Sequence, residues 1–580
     1  MMAVNIVLFL SLCVVVKGNL IVDTSSGKVE GVEVPSIIKN EKYYSFMGIP
    51  YAQPPIGELR FMPPIPHQGW SNVLNAKKES KACSQFYLPS RTIEDYGFYG
   101  DEDCLRLGIH TPKVPVKDEL SFPVIVFFYN EYFRLSFNGS REYGPDFFMK
   151  EDVMIVNINY RVGPMGFISY EDDLLPGNNG IKDVILALKW LQQNIHKFGG
   201  DPYKVTLMGN EGGGVLVDIL LQSPKAKGLF SAVIMQSGTT WQSMYFNGKP
   251  RDKALALAKE LEKHVSTSAQ LIKEFSEFSA QKISESELHS IPTDDSRHAQ
   301  VGILGNSPVI EHDHPDAIIN QLPEDSHIKI DIPIMIGYNS NEGLEKCERF
   351  LRKPQYLTFA DRDFLMMFPI RVHYHFEINT NVYWDAVQEV KDFYFEEGYV
   401  KISKPGEYMM YHGDASAIYP IDYTVRKYLN ISSAPIYYYA FDYSGELNMR
   451  KNLAMEEALT VEGTWGATTG DELCYLFVCN KIKKAYIKAM EDEDSEEMKV
   501  LKNMVRMWTN FAKTGNPTPP GGDLTWKPAT KENKDCLVIS DELNMKTNLH
   551  EKRIKFWDDF IAKYRDMAED GVIKGVKDEL

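Results

Sequence analysis

Six apolar runs of strand length, at residues 122–128, 153–158, 205–208, 232–235, 332–336 and 436–441, constrain this chain more than any other feature. Valine, isoleucine, methionine and aromatic residues crowd these runs, the pattern of strands buried on both faces. Helical stretches alternate with them. Between residues 181 and 198, Ile181, Ile185, Leu188, Leu191 and Ile195 recur at helical spacing. This alternation predicts an α/β fold: a large, mostly parallel central sheet flanked by helices. Residues 251–300 form a charged, Ser-rich, helix-prone insertion without a strand signal. No linker separates independent halves, so one domain is expected over residues 19–565. A charged tail, 566–580, follows it as a helix that frays toward the end.

The two ends of the chain point to a compartment. An apolar stretch at residues 6–16, broken only by Ser11 and followed by Lys17 and Gly18, reads as a signal peptide covering residues 1–18. It is too short to span a bilayer, and no later stretch approaches the roughly 20 apolar residues of a membrane helix. The chain is therefore expected to carry no transmembrane anchor. The last four residues, Lys577, Asp578, Glu579 and Leu580, form a retrieval signal read by a receptor of the endoplasmic reticulum, which predicts residence in its lumen. Two sequons, at Asn138 and Asn430, suit that compartment as glycosylation sites. The net charge of -17 disfavours nucleic acid as a partner. Beyond the leader, Cys83, Cys104, Cys347, Cys474, Cys479 and Cys536 can pair in an oxidising lumen, in combinations that spacing alone leaves open.

Longer motifs carry a resemblance. The run Ile49-Pro-Tyr-Ala-Gln-Pro-Pro-Ile-Gly-Glu-Leu-Arg-Phe-Met-Pro-Pro64 resembles the N-terminal signature of type-B carboxylesterases and cholinesterases. Glu102-Asp-Cys-Leu105 and Asn159-Tyr-Arg-Val-Gly-Pro-Met-Gly-Phe167 resemble two further signatures of that family. Gln236-Ser-Gly238, Gly337-Tyr-Asn-Ser-Asn-Glu-Gly343, Gly470-Asp-Glu-Leu473 and Trp508-Thr-Asn-Phe-Ala-Lys-Thr-Gly-Asn-Pro517 follow in order. The resemblance, which extends to insect carboxylesterases, implies a single-domain α/β-hydrolase fold. It also implies a disulfide between Cys83 and Cys104 and two buried ion pairs, Arg60 with Glu102 and Arg161 with Asp183.

Active members of the family need a Gly-x-Ser-x-Gly elbow, whose sharp turn presents the serine above the sheet. Here the turn reads Gly209-Asn-Glu-Gly-Gly-Gly214, so the resemblance places Glu211 where the nucleophile belongs. The stretch that should hold the histidine base reads Gly466-Ala-Thr-Thr-Gly470, with Thr469 in its position. A hydroxyl cannot exchange a proton near neutral pH as an imidazole does. The triad carboxylate corresponds to Glu342. Where the family has bare glycines for the oxyanion hole, this chain has Asn130, Glu131 and Tyr132; Gly212 alone keeps a small donor. No functional catalytic residue is expected.

The reading that follows is a non-catalytic carboxylesterase homologue of the lumen, binding a protein partner or a small hydrophobic ester or lipid. Its rival is a carboxylic ester hydrolase with residual or non-serine activity, in which Glu211 and Glu342 act as a carboxylate pair. No cofactor is implied. His312-Asp-His314 and His373-Tyr-His375-Phe-Glu377 have ligand-bearing side chains, but the first lies in an ordinary family loop, and no metal is expected at either.

Overall fold

Each apolar run becomes a strand of one 11-stranded sheet. The computed structural model describes residues 20–576 apart from 88–96, 116–120, 137–141, 247–248, 291–299, 301–303, 327, 365, 519–520 and 522–523. Numbered in chain order, the first strands of this sheet are β1 (Val32–Pro35), β2 (Lys42–Pro50), β3 (Arg106–Thr111), β4 (Phe122–Asn130) and β5 (Met154–Ile158). The rest are β6 (Gly200–Glu211), β7 (Ala232–Gln236), β8 (Ile334–Asn339), β9 (Ile436–Phe441), β10 (Cys536–Ile539) and β11 (Leu543–Lys546). Their order across the sheet is β11-β10-β9-β8-β7-β6-β4-β5-β3-β2-β1. Strands β4 to β10 run parallel, and antiparallel strands close both edges.

Burial explains the composition. Val124, Ile125 and Val126 of β4 are fully buried, as residues of a strand covered on both faces must be. Two helices that position the site are α1 (Asn179–Asn194) and α2 (Gly212–Gln222). All of α2 except Leu221 is buried, so it has no polar face to show solvent. Further along lie α3 (Gly343–Lys346), α4 (Met449–Met455), α5 (Glu496–Thr514) and α6 (Glu551–Arg565).

Charged groups lock the layers together. The Arg161 guanidinium meets Asp183 of α1 at 2.7 and 2.8 Å, both side chains almost wholly buried. Arg60 meets Glu102 at 2.6 Å and also donates to the carbonyls of Phe275 and Phe278. It thereby ties the insertion to the body. That insertion is helical, with helices Pro250–Glu260, Ser268–Ser276 and Ala280–Ser290 packing Leu257, Leu271, Phe275 and Ile283 on Phe61, Met165 and Ile168.

Disulfides join Cys83 to Cys104 and Cys474 to Cys479, while Cys347 and Cys536 are buried thiols. The first closes a loop of 21 residues, a constraint worth about 3 kcal/mol. Asn430 is exposed in the last turn of helix Tyr419–Ile431. The signal peptide, Asn138 and the four residues Lys577 to Leu580 lie outside the described residues. Among the described residues no helix is long and apolar enough to cross a membrane.

The tail departs from the expected fraying helix. After α6 ends, Val572–Ile573 pairs in parallel with His375–Phe376, and Ile573 is buried. Asn381 and Val576 then exchange hydrogen bonds of 2.8 and 3.0 Å. Two adjacent β-branched residues in an otherwise charged segment find an open strand edge, and their burial outweighs the helix they interrupt.

Candidate functional site

The site begins where β6 turns into α2. Glu211 makes that turn with φ 54° and ψ -117°, a backbone conformation that costs a non-glycine residue roughly 1–3 kcal/mol. Glycines make it sterically possible. A Cβ on Gly209 would stand 2.0 Å from the Gly213 carbonyl oxygen, one on Gly213 2.1 Å from that of Phe128, and one on Gly238 1.8 Å from that of Glu211. Strand, helix and the chain after β7 can approach this closely only without side chains. The Glu211 carboxylate does not cap α2; it lies 3.5 Å from the Lys346 ammonium.

Behind the turn, β8 ends in the loop that carries Glu342. Its carboxylate is fully buried and accepts from the Ser237 hydroxyl at 2.6 Å, the Asn339 amide at 2.7 Å and the Thr469 hydroxyl. Burial raises its pKa, and these three bonds oppose the rise. Glu342 and Thr469 are therefore direct partners, and among the described residues no imidazole donates to the carboxylate. Glu472, three residues beyond Thr469, is a second buried carboxylate. It accepts from the side-chain amides of Asn210, Gln236 and Asn339 at 3.1, 3.1 and 2.6 Å. Desolvation, with Glu342 nearby, pushes it up to about 8.

The loop after β4 closes over Gly212. Asn130 is buried, donates to the Tyr160 hydroxyl at 2.9 Å and accepts from the Phe133 amide at 2.6 Å. Its Oδ1 would lie 2.3 Å from a Cβ on Gly212, so the carboxamide fills the space beside that glycine. Tyr132 and Phe133 both have positive φ, 53° and 58°. Glu131 accepts from the Tyr129 hydroxyl and from Arg450 of α4 at 2.9 Å, and Arg450 reaches Glu345 at 3.1 Å. Lys346, next to Glu345 on α3, reaches the Tyr132 hydroxyl at 3.3 Å as well as Glu211.

Three carboxylates and two cations thus form one network across the mouth of the turn. Desolvation and the neighbouring Glu211 carboxylate raise Glu131, against the pull of Lys346 and Lys481. Desolvation, Glu211 and Glu131 hold Glu345 well above the ordinary range. Burial alone would lower Lys346, but Tyr132, Glu211 and Glu345 raise it well above 10.5, so it stays charged. The sequence pattern did not disclose Tyr129, Glu345, Lys346 or Arg450. Arg450 meets Glu131 from 319 residues away and Lys346 meets Glu211 from 135, and no motif encodes either pairing.

Other candidates lie elsewhere. His110 is buried within β3 beside Ser45, and desolvation lowers it to about 4. His412 is also lowered to about 4, by desolvation and Lys346. His312 pairs with Asp173 at 2.7 Å and His314 sits 3.4 Å from Glu311; among the described residues no group of three or more ligating side chains is placed to hold a metal. A cavity of about 410 Å³ is lined by Leu221, Ser223, Phe230 and Ile328, and one of about 140 Å³ by Phe167, Phe246, Lys253 and Val309. Neither includes Glu211, Glu342 or Thr469.

The carboxylesterase family model matches residues 18–557. Juvenile hormone esterase of Tribolium castaneum is 30% identical over 551 residues, covering 92% of this chain and 90% of the relative. Esterase FE4 of Myzus persicae is 30% identical over 520 residues, covering 89% and 88%. The structure of juvenile hormone esterase from Manduca sexta, with OTFP covalently attached, matches with a TM-score of 0.78 at 25% identity, covering 94% of this chain and all of that one.

Proposed function

The chain belongs to the carboxylesterase family, and we propose that within it this member has given up serine hydrolysis and acts by binding. The observation that carries the reading is the Glu211–Lys346 ion pair: the strained turn that presents a serine in active members instead presents a carboxylate, already paired with a half-buried cation. Support comes from two other positions. Thr469 bonds Glu342 at the position where the resemblance calls for an imidazole, and the Asn130 carboxamide fills the space beside Gly212, the one small donor left of the family's oxyanion pattern. Losing nucleophile or base costs roughly 10⁶ in rate, and losing a hole donor roughly 10² to 10³, non-additively.

Between the two forms of binding, a protein partner is favoured over a hydrophobic ester or lipid. Lys346, Tyr132, Arg450 and Glu131 bridge across the mouth of the turn, where an ester would have to enter. Residues 6–16 as a leader and Lys577 to Leu580 as a retrieval signal support a partner in the lumen of the endoplasmic reticulum, with glycans on Asn138 and Asn430.

The test is a panel of carboxylic esters, a fluorophosphonate probe and OTFP, applied to the purified full-length chain. Neither turnover nor a covalent adduct is expected. Turnover or labelling that vanishes in Glu211→Ala or Glu342→Ala would establish the rival, a hydrolase using its carboxylates.

A further inference from the structure

The cavity of about 140 Å³ lies where helix Pro250–Glu260 of the insertion meets the segment 305–310. Phe167, Phe246, Pro250, Pro308 and Val309 give it an apolar wall. The space equals that of about five waters, or of one molecule with a short hydrocarbon chain. Two polar side chains break the wall. Lys253 is half-buried on the helix, and its ammonium donates to the Gly305 carbonyl at 3.3 Å. Ser307 lines the cavity and is only 5% exposed, yet its hydroxyl has no hydrogen-bond partner among the described residues. A buried hydroxyl left without a bond is costly, and the cavity beside it is where a partner would sit.

The charges around Lys253 leave its ammonium undercompensated. Glu287 acts on it, but that carboxylate already accepts two bonds from Asn306, at 2.6 and 2.7 Å, and faces Arg134 at 3.9 Å. Glu171 also lines the cavity, but it is exposed to solvent, where its field is screened. Arg251 lies on the Tyr170 ring at 4.5 Å, and Lys249 faces Asp252 at 3.9 Å, so neither basic neighbour brings a carboxylate to Lys253. Desolvation outweighs Glu287 and takes the Lys253 amine down to about 8. An anion in the cavity would reverse that loss.

From an ammonium, an unpartnered buried hydroxyl and an apolar wall around one small cavity, we infer that this is a binding site for a short-chain monocarboxylate. The carboxylate accepts from Lys253 and Ser307, and a chain of about four to six carbons lies along Phe167, Phe246 and Val309. The site goes beyond the binding reading of the turn and is independent of it, since neither Glu211, Glu342 nor Thr469 lines the cavity.

Isothermal titration calorimetry of the full-length chain with hexanoate, hexanol and hexylammonium tests this at pH 7. Hexanoate should bind with a Kd of about 1 mM or tighter, and the other two at least about tenfold more weakly. Above pH 8, where the empty site loses the Lys253 proton, hexanoate affinity should fall about tenfold per pH unit. Lys253→Met keeps the length of the side chain without its charge and should lower affinity at least about tenfold; Ser307→Ala should lower it about threefold or more. Circular dichroism first shows that each variant folds, and if Lys253→Met does not, Ser307→Ala and the pH profile decide. Equal binding of hexanol, hexanoate affinity unchanged in a folded variant or at pH 9.5, or no hexanoate binding at about 10 mM overturns the inference.

Discussion

Glu211 and Glu472 lie close in the fold and show how differently one side-chain type is used. Glu211 faces Lys346 at the mouth of the turn; Glu472 is sealed among three amides beneath it. With its pKa raised from 4.5 to about 8, Glu472 keeps in the folded chain a proton that the unfolded chain releases. Its contribution to stability is therefore full below about pH 4.5 and is lost as pH rises toward 8. Glu472→Gln cannot titrate, and the buried carbonyl oxygens of Asn339 and Gln236, without a partner among the described residues, can accept the new amide protons. Urea unfolding at pH 5 and pH 8.5 should show a smaller loss of stability with pH in the variant, by about 1 kcal/mol or more. An unchanged slope would mean Glu472 is ionised in the fold. The positions of Glu211, Glu342 and Thr469 were legible in the sequence because flanking glycines and the Asp-Glu-Leu run fix their register. Lys346 and Arg450 were not, since an ion pair leaves no spacing to read.

At the scale of elements, the turn between β6 and α2 depends on missing side chains. Gly209→Ala forces a methyl to within 2.0 Å of the Gly213 carbonyl oxygen, and backbone cannot step aside there. Thermal melting should show a loss of at least about 3 kcal/mol, or no folded protein. Gly228→Ala is the control: its φ is 81° but nothing lies within 4 Å, so about 1 kcal/mol is expected. Equal losses would show that the crowding at Gly209 is relieved by local movement. The central strands and α1 were readable because burial on both faces leaves unmistakable apolar runs. The tail was not, because Val572 and Ile573 make too short a run to register, and their partner strand lies some 200 residues earlier. Ile573→Asp places a charge in a site 1% exposed and should release the ladder. Hydrogen exchange at the amides of His375, Glu377 and Asn381, which donate to tail carbonyls, should then quicken while α6 stays protected. Protection that survives the substitution would show that the tail is held elsewhere.

Taken as a whole, the molecule keeps the scaffold of its relatives over 94% of its length, and the proposed loss of hydrolysis resides in three separate places on that scaffold. This makes the loss reversible in principle and gives it a strict test. Thr469 already bonds the Glu342 carboxylate, so an imidazole introduced there finds its orienting partner in place. Glu211 already has the strained turn that a serine needs. The loop of Asn130, Glu131 and Tyr132 must give way to three glycines before any oxyanion can be accepted. Glu211→Ser, Thr469→His and the triple-glycine loop should each be inert alone toward p-nitrophenyl acetate, because each leaves two defects that act as one unit with the third. Combined, they should exceed the background rate by roughly 10³ or more. The combined variant will be less stable, since Arg450 loses Glu131 and Lys346 loses Glu211 and Tyr132, so circular dichroism must first show that it folds. Activity from Glu211→Ser alone would refute the roles given to Thr469 and the loop. A folded but inert combination would place the loss of catalysis in a fourth feature, with the Lys346–Arg450 network the first to remove.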